Sequence, residues 1–207
     1  MLGGNEVAKW FIYNNPELAS GYIDENTKIN KLLYFSNLMY FCISGENMIS
    51  DDFIAFPNGP VVFSVYRDYR YNGLNQLPQQ APALDANYCK VLNIINFVYS
   101  DRSTKELVDE SHSHSLWKNV SSLIPHNPKI EFQNIEQEVT DYYKALYQTY
   151  AEVDFSTLTK EKINDNIYYY LKGSFTMDDA IVEKLSTFGK FDEPKFLEMV
   201  SGELVVS

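Results

Sequence analysis

Thr27-Lys28-Ile29-Asn30-Lys31-Leu32-Leu33-Tyr34-Phe35-Ser36-Asn37-Leu38-Met39-Tyr40-Phe41-Cys42-Ile43-Ser44-Gly45 is the most apolar run of the chain. Ile29, Leu32, Leu33, Ser36, Tyr40 and Ile43 recur at helical spacing, and Tyr34, Phe35, Leu38, Met39, Phe41 and Cys42 make most of the remaining circumference apolar too. A helix apolar nearly all round is expected at the centre of a helical domain, with Gly45 as its stop. Asn30, Lys31, Ser36 and Asn37 interrupt the run, which therefore falls short of the roughly 18 uninterrupted apolar residues of a membrane span.

The flanking segments read as smaller elements. Val7, Trp10 and Phe11 predict a short first helix that stops at Asn14-Asn15-Pro16. Phe53 to Phe56 is long enough only for a short strand, closed by the turn Pro57-Asn58-Gly59. Pro60 fits the first turn of a following helix, with Val61, Val62, Val65, Tyr66 and Tyr69 on its apolar face. Asp85 caps a helix carrying Val91, Leu92 and Ile95, and Ser103-Thr104-Lys105-Glu106 is a capping box for the next. Another helix is predicted from about Asn134 to Ala151. Beyond it, Ile167 to Phe175 fits a strand or half a helix, Asp178-Asp179 caps a short helix, Pro194 opens another, and Leu204 to Val206 forms a terminal strand. The expected fold is mainly α: a compact helical domain with a short strand or hairpin around residues 53–60, and a C-terminal α or α+β extension packed on the same domain.

Composition narrows the function. The 207 residues carry 17 Lys plus Arg against 28 Asp plus Glu, a formal charge of −11, so nucleic acid and anionic membrane surfaces are poor partners. Residues 101–207 hold 11 basic and 19 acidic side chains, so a basic protein partner would be met mostly there. Cys42 and Cys89 lie in apolar stretches without metal or redox spacing, and Met1 to Asn5 lacks the features of a signal peptide, so a cytoplasmic location is expected.

Neither GxGxxG nor GxxxxGK[ST] occurs. Ser111-His112-Ser113-His114-Ser115 offers hydroxyls and imidazoles, but neighbours on one helix end seldom converge as nucleophile and base. An H-x-H pair on a helix projects its rings about 200° apart, and with His126 it matches no zinc spacing. No catalytic residue, metal or cofactor is therefore expected. Tyr168-Tyr169-Tyr170 lacks interleaved basic residues and reads as core or protein interface rather than a base-stacking platform. Glu131, Glu136, Glu138 and Asp141 line one predicted helix and its approach, where they serve either as an acidic partner face, imitating DNA phosphates, or as a solvated surface.

Four blocks stand in one order: Val7-Ala8-Lys9-Trp10-Phe11-Ile12; Lys28 to Phe35; Asp52 to Val62 with Val65-Tyr66; and Thr104 to Val120, which holds Glu106-Leu107, His112 or His114, and Leu116-Trp117-Lys118. Over about residues 5–150 this order resembles the Panacea domain, the SocA-like antitoxin family of bacteria and phages, including phage-associated GepA-like proteins. Residues 151–207 lie outside the resemblance as a C-terminal extension. Phe56 stands where the family often has Trp, and Asn58 where Tyr is common. The resemblance implies a mostly α, non-enzymatic antitoxin that neutralises a cognate toxin, usually from a neighbouring gene, by direct binding. It also implies an adaptor role toward a Clp-type protease as a variant of that function. Lys31, Tyr34, Phe56, Asn58, Gly59, Pro60, Val61, Tyr66, His112, His114 and Trp117 carry the family signature, as partner contacts or as core and turn. Two rival readings stand beside it. One is a phage-encoded acidic inhibitor of a host nucleic-acid enzyme, with anti-restriction or anti-CRISPR action; the other is a hydrolase or metal-dependent enzyme using His112 and His114.

Overall fold

The computed structural model describes residues 1–191 and 194–207, which fall into two compact units, Met1–Ala151 and Glu152–Ser207. Helix covers 53% and strand 16%, so the chain is mainly α with more strand than one hairpin supplies.

The first unit contains α1 (Gly4–Asn14), α2 (Ile23–Ser44), β1 (Phe53–Phe56), β2 (Gly59–Val62), α3 (Phe63–Tyr71), α4 (Ala86–Tyr99), α5 (Thr104–Ser113), α6 (Ser115–Lys118) and α7 (Gln137–Tyr150). At 22 residues, α2 is about 33 Å long and packs against α1, α3, α4, α5, α7 and β2. Ile29, Leu32, Leu33, Tyr34, Phe35, Leu38 and Met39 are all fully buried. The helix begins one turn before the apolar run, because Tyr22 accepts from Asn26 N, and Asp24 and Glu25 suit the positive end of the helix dipole. Gly45 ends it at φ 76°.

Asn26, Asn30, Lys31, Ser36 and Asn37 of α2 are buried as well, and each is matched to a backbone group. Asn26 Nδ2 donates to Tyr66 O (3.0 Å) and Ser36 Oγ to Leu32 O (2.7 Å). Asn37 Oδ1 accepts from Met48 N and Ile49 N, both at 2.9 Å, which satisfies two amides in the link that follows the helix.

Residues 59–62 correct the expectation of a helix starting at Pro60. They form β2, antiparallel to β1 with Phe53 opposite Val62 and Phe56 opposite Gly59. Pro60 faces Ala55, whose N–H points away to Pro128 O (2.9 Å), so this position of the ladder needs no donor from the proline. Ile130 N donates to Phe53 O (2.8 Å), giving β1 a partner on its other edge.

The second unit is a four-stranded sheet in the order β3 (Leu158–Ile163), β4 (Asn166–Leu171), β5 (Lys195–Val200), β6 (Glu203–Val206), with α8 (Asp179–Ser186) between β4 and β5 in the chain. Its core is Ile163, Tyr168, Tyr170, Leu185 and Leu197. Asp178 caps α8 by accepting from Ile181 N. The helix predicted after Pro194 is instead β5, which runs parallel to β4 at Tyr168–Lys195 and antiparallel to β6. Strand pairing buries Leu197, and Leu204 and Val206 pack on the same cluster, a period-2 solution in a stretch too short to show its period. Tyr168 and Tyr170 belong to this core, and Tyr169 lies 6.1 Å from the Phe196 ring.

Candidate functional site

The β1–β2 turn, Phe56-Pro57-Asn58-Gly59-Pro60, is held from two sides. Gly59 sits at φ 91°, and a Cβ there would stand 2.5 Å from Ser111 Oγ and 2.8 Å from Lys31 Cε, so both conformation and space demand glycine. From α2, Lys31 Nζ donates to Pro60 O (2.7 Å) and Asn30 Oδ1 accepts from Val62 N (2.9 Å). From α6, Trp117 Nε1 donates to Phe56 O (3.0 Å), and the Trp117 ring stacks on His112 at 3.7 Å between centroids. Turn carbonyls that would otherwise need water are thus paired with side chains from α2 and α6, remote from each other in sequence.

Burial sets the electrostatics of this clamp. Lys31 is fully buried, and desolvation pulls its amine down to about 7. Burial, then the nearby Lys31 charge, lowers the His112 imidazole, while Asp109 and the Pro57 carbonyl act in the opposite direction.

His114 belongs to a different environment. It is the extended joint between α5 and α6, and its Nδ1 lies 3.0 Å from Tyr34 Oη, with the Tyr34 ring also packed on Phe35, Phe53 and Phe132. Burial lowers its imidazole to about 4, so the ring is neutral at physiological pH. His112 and His114 therefore face separate partners. Ser111 Oγ donates to Val108 O (2.9 Å) and Ser113 Oγ to Glu110 O (2.7 Å), so both hydroxyls are engaged by their own helix. Among the described residues, no group of three His, Cys, Asp or Glu side chains is placed to hold a metal ion. Nor is any described helix long and apolar enough to cross a membrane.

The acidic candidates are dispersed. Glu131 accepts from Gln133 Nε2 (3.1 Å) and lies 3.7 Å from Lys129. Glu136 stands at the position before α7 without a side-chain bond to that helix, and its Oε2 instead accepts from Ser115 N (3.3 Å), at the start of α6. Glu138 and Asp141 lie exposed on α7, where Asp141 accepts from Gln137 Nε2 (2.7 Å).

Of the signature residues, Lys31, Phe56, Gly59, Pro60, His112 and Trp117 converge on the turn. Val61 is buried in β2, Tyr34 in the core beside His114, Asn58 is exposed at the tip, and Tyr66 lies half-buried on α3. Sequence reasoning missed Asn30 and Ser111 as parts of the clamp. Polar residues inside an otherwise apolar helix were the available signal, since a buried amide or amine must find a partner. It also missed the network in which Tyr99 Oη donates to Glu110 Oε1 (2.7 Å) and Arg102 pairs with Glu110 Oε2 (2.6 Å).

The segment that builds this clamp is also the one that matches a known family. Residues 29–118 match the antitoxin SocA-like, Panacea domain. The matched segment is rather less than half of the chain and narrower than residues 5–150. It runs from α2 through α6 and contains every side chain that holds the turn. No curated protein and no solved structure matches the chain.

Proposed function

We propose that this protein is an antitoxin that neutralises a cognate toxin, the product of a neighbouring gene, by direct protein–protein binding without catalysis. The match of residues 29–118 to the Panacea domain carries this reading. The geometry supports it: the clamp groups Lys31, Asn30 and Trp117 are spent on the protein's own backbone, which suits a rigid binding scaffold better than a reaction centre. Delivery of the toxin to a Clp-type protease is a variant of the same function. The charge of −11 favours one rival, an acidic inhibitor of a host nucleic-acid enzyme.

Co-expression separates the two. The adjacent-gene product is expressed alone and together with this chain, and growth is followed. Arrest that is relieved by the chain supports the antitoxin reading. A harmless neighbour, together with a nucleic-acid enzyme inhibited by the purified chain, supports the rival.

A further inference from the structure

Phe63, Tyr66, Arg67, Arg70 and Tyr71 recur at i, i+3, i+4, i+7 and i+8 and so form one stripe of α3, while Val65 and Tyr69 of the same helix are buried. Phe63 is 48% and Tyr71 68% exposed, a display of aromatic surface that a self-contained domain would bury. The stripe is continuous. The Phe56 ring lies 6.4 Å from Phe63 and 5.8 Å from Tyr66, Arg70 Nη1 donates to Tyr66 Oη (3.1 Å), and the Arg70 guanidinium lies 5.3 Å over the Tyr71 ring.

Its charge runs against that of the molecule. The chain has three arginines and 28 acidic residues. Arg102 is paired with Glu110, and the other two arginines stand on this stripe. Asp68, the carboxylate of α3, accepts from Asn5, Asn72 and Arg67. Arg70 rests on two tyrosines and faces no carboxylate among the described residues. The base is also rigid, since α3 starts directly after β2, whose turn is clamped by Lys31, Asn30 and Trp117.

We infer that this α3 stripe, with Phe56 at its end, is the surface through which the chain grips a protein partner presenting carboxylates among apolar side chains. The inference rests on the antitoxin reading and deepens it by giving the partner's contact chemistry. Aromatic rings and arginine supply interface hot spots, and a guanidinium already held by tyrosines forms a two-pronged bond to a carboxylate with little further ordering. A nucleic acid is disfavoured, because two arginines do not offset a net charge of −11.

The test uses the full chain and the purified adjacent-gene product in titration calorimetry. Arg70→Glu and Phe63→Ser each weaken Kd at least tenfold, whereas the joint change Glu138→Lys, Asp141→Lys on α7 alters it less than twofold. All three variants keep the circular dichroism and melting temperature of the unaltered chain, because the side chains changed are exposed. Lys in place of an aspartate or glutamate on the partner restores affinity to Arg70→Glu. Unchanged affinity in both stripe variants overturns the inference and leaves the antitoxin reading standing; an unaltered chain that neither binds nor neutralises overturns both. Displacement of the partner by a single-stranded oligonucleotide, or a dimer of the chain itself that Arg70→Glu abolishes, assigns the stripe to another occupant and also overturns it.

Discussion

Lys31 Nζ donates to Pro60 O across 2.7 Å, from a side chain with no exposure to solvent. The bond joins residues 29 apart in sequence and ties the central helix to the turn of the hairpin. A cation so placed is costly unless its donors are satisfied, and here the desolvation shows as an amine pulled down to about 7. The lysine of the family signature thus acts inward, on the scaffold.

This placement fixes a pH dependence. Below about pH 7, folded and unfolded chains both carry the proton, and the cost of burying the charge is at its largest. Between about 7 and the ordinary lysine value of 10.5, the unfolded chain holds a proton that the folded chain has released, so this residue's contribution to stability rises with pH, by at most about 1.4 kcal/mol per pH unit. Urea unfolding at pH 7.0 and 8.5 measures it: the unaltered chain gains stability relative to Lys31→Met over that interval.

His114 acts at lower pH. Its folded value, about 4, lies below the ordinary 6.5, so its contribution is complete above pH 6.5 and is lost as pH falls toward 4, where the unfolded chain takes up a proton that the buried ring refuses. The loss reaches about 2 kcal/mol by pH 5. Replacement by glutamine keeps a hydrogen-bonding partner near Tyr34 Oη, and the difference in unfolding free energy between pH 6.5 and 5 shrinks by about that amount.

Two glycines with positive φ respond differently to alanine. Gly59→Ala drives a methyl into Ser111 Oγ and the Lys31 side chain and costs about 3 kcal/mol or more, whereas Gly45→Ala meets open space and costs about 1 kcal/mol. Denaturant midpoints of the two variants give the ranking.

Trp117→Phe removes the donor to Phe56 O while keeping an aromatic ring against His112. The expected loss is about 1 kcal/mol. Hydrogen exchange localises it, with faster exchange at Asn58 and Gly59 and no change in α4.

Much of the first unit was legible because burial writes a period into the sequence: α2, the α5 capping box formed by Ser103 and Glu106, and β1 were all readable. Pro60 misled because proline favours a helix start and a ladder position without a donor equally well, and only the pairing with Ala55 distinguishes them. β5 was unreadable because its partners, Tyr168 and Tyr169 on one side and Leu204 to Val206 on the other, are remote or short. In the site, Trp117 and Lys31 were named by resemblance, but their targets are backbone carbonyls, which carry no side-chain identity. The separation of His112 from His114 was expected from their i, i+2 spacing on one helix, but it is produced by the break between α5 and α6 at His114.

Light scattering on an equimolar mixture of the purified chain and the adjacent-gene product, eluted from a sizing column, weighs the antitoxin account as a whole. The account predicts one peak whose mass is that of a complex containing both proteins, in which the partner's toxic activity is silenced. Two separate peaks at micromolar concentration, with the partner's toxicity intact, would show that this chain does not neutralise its neighbour.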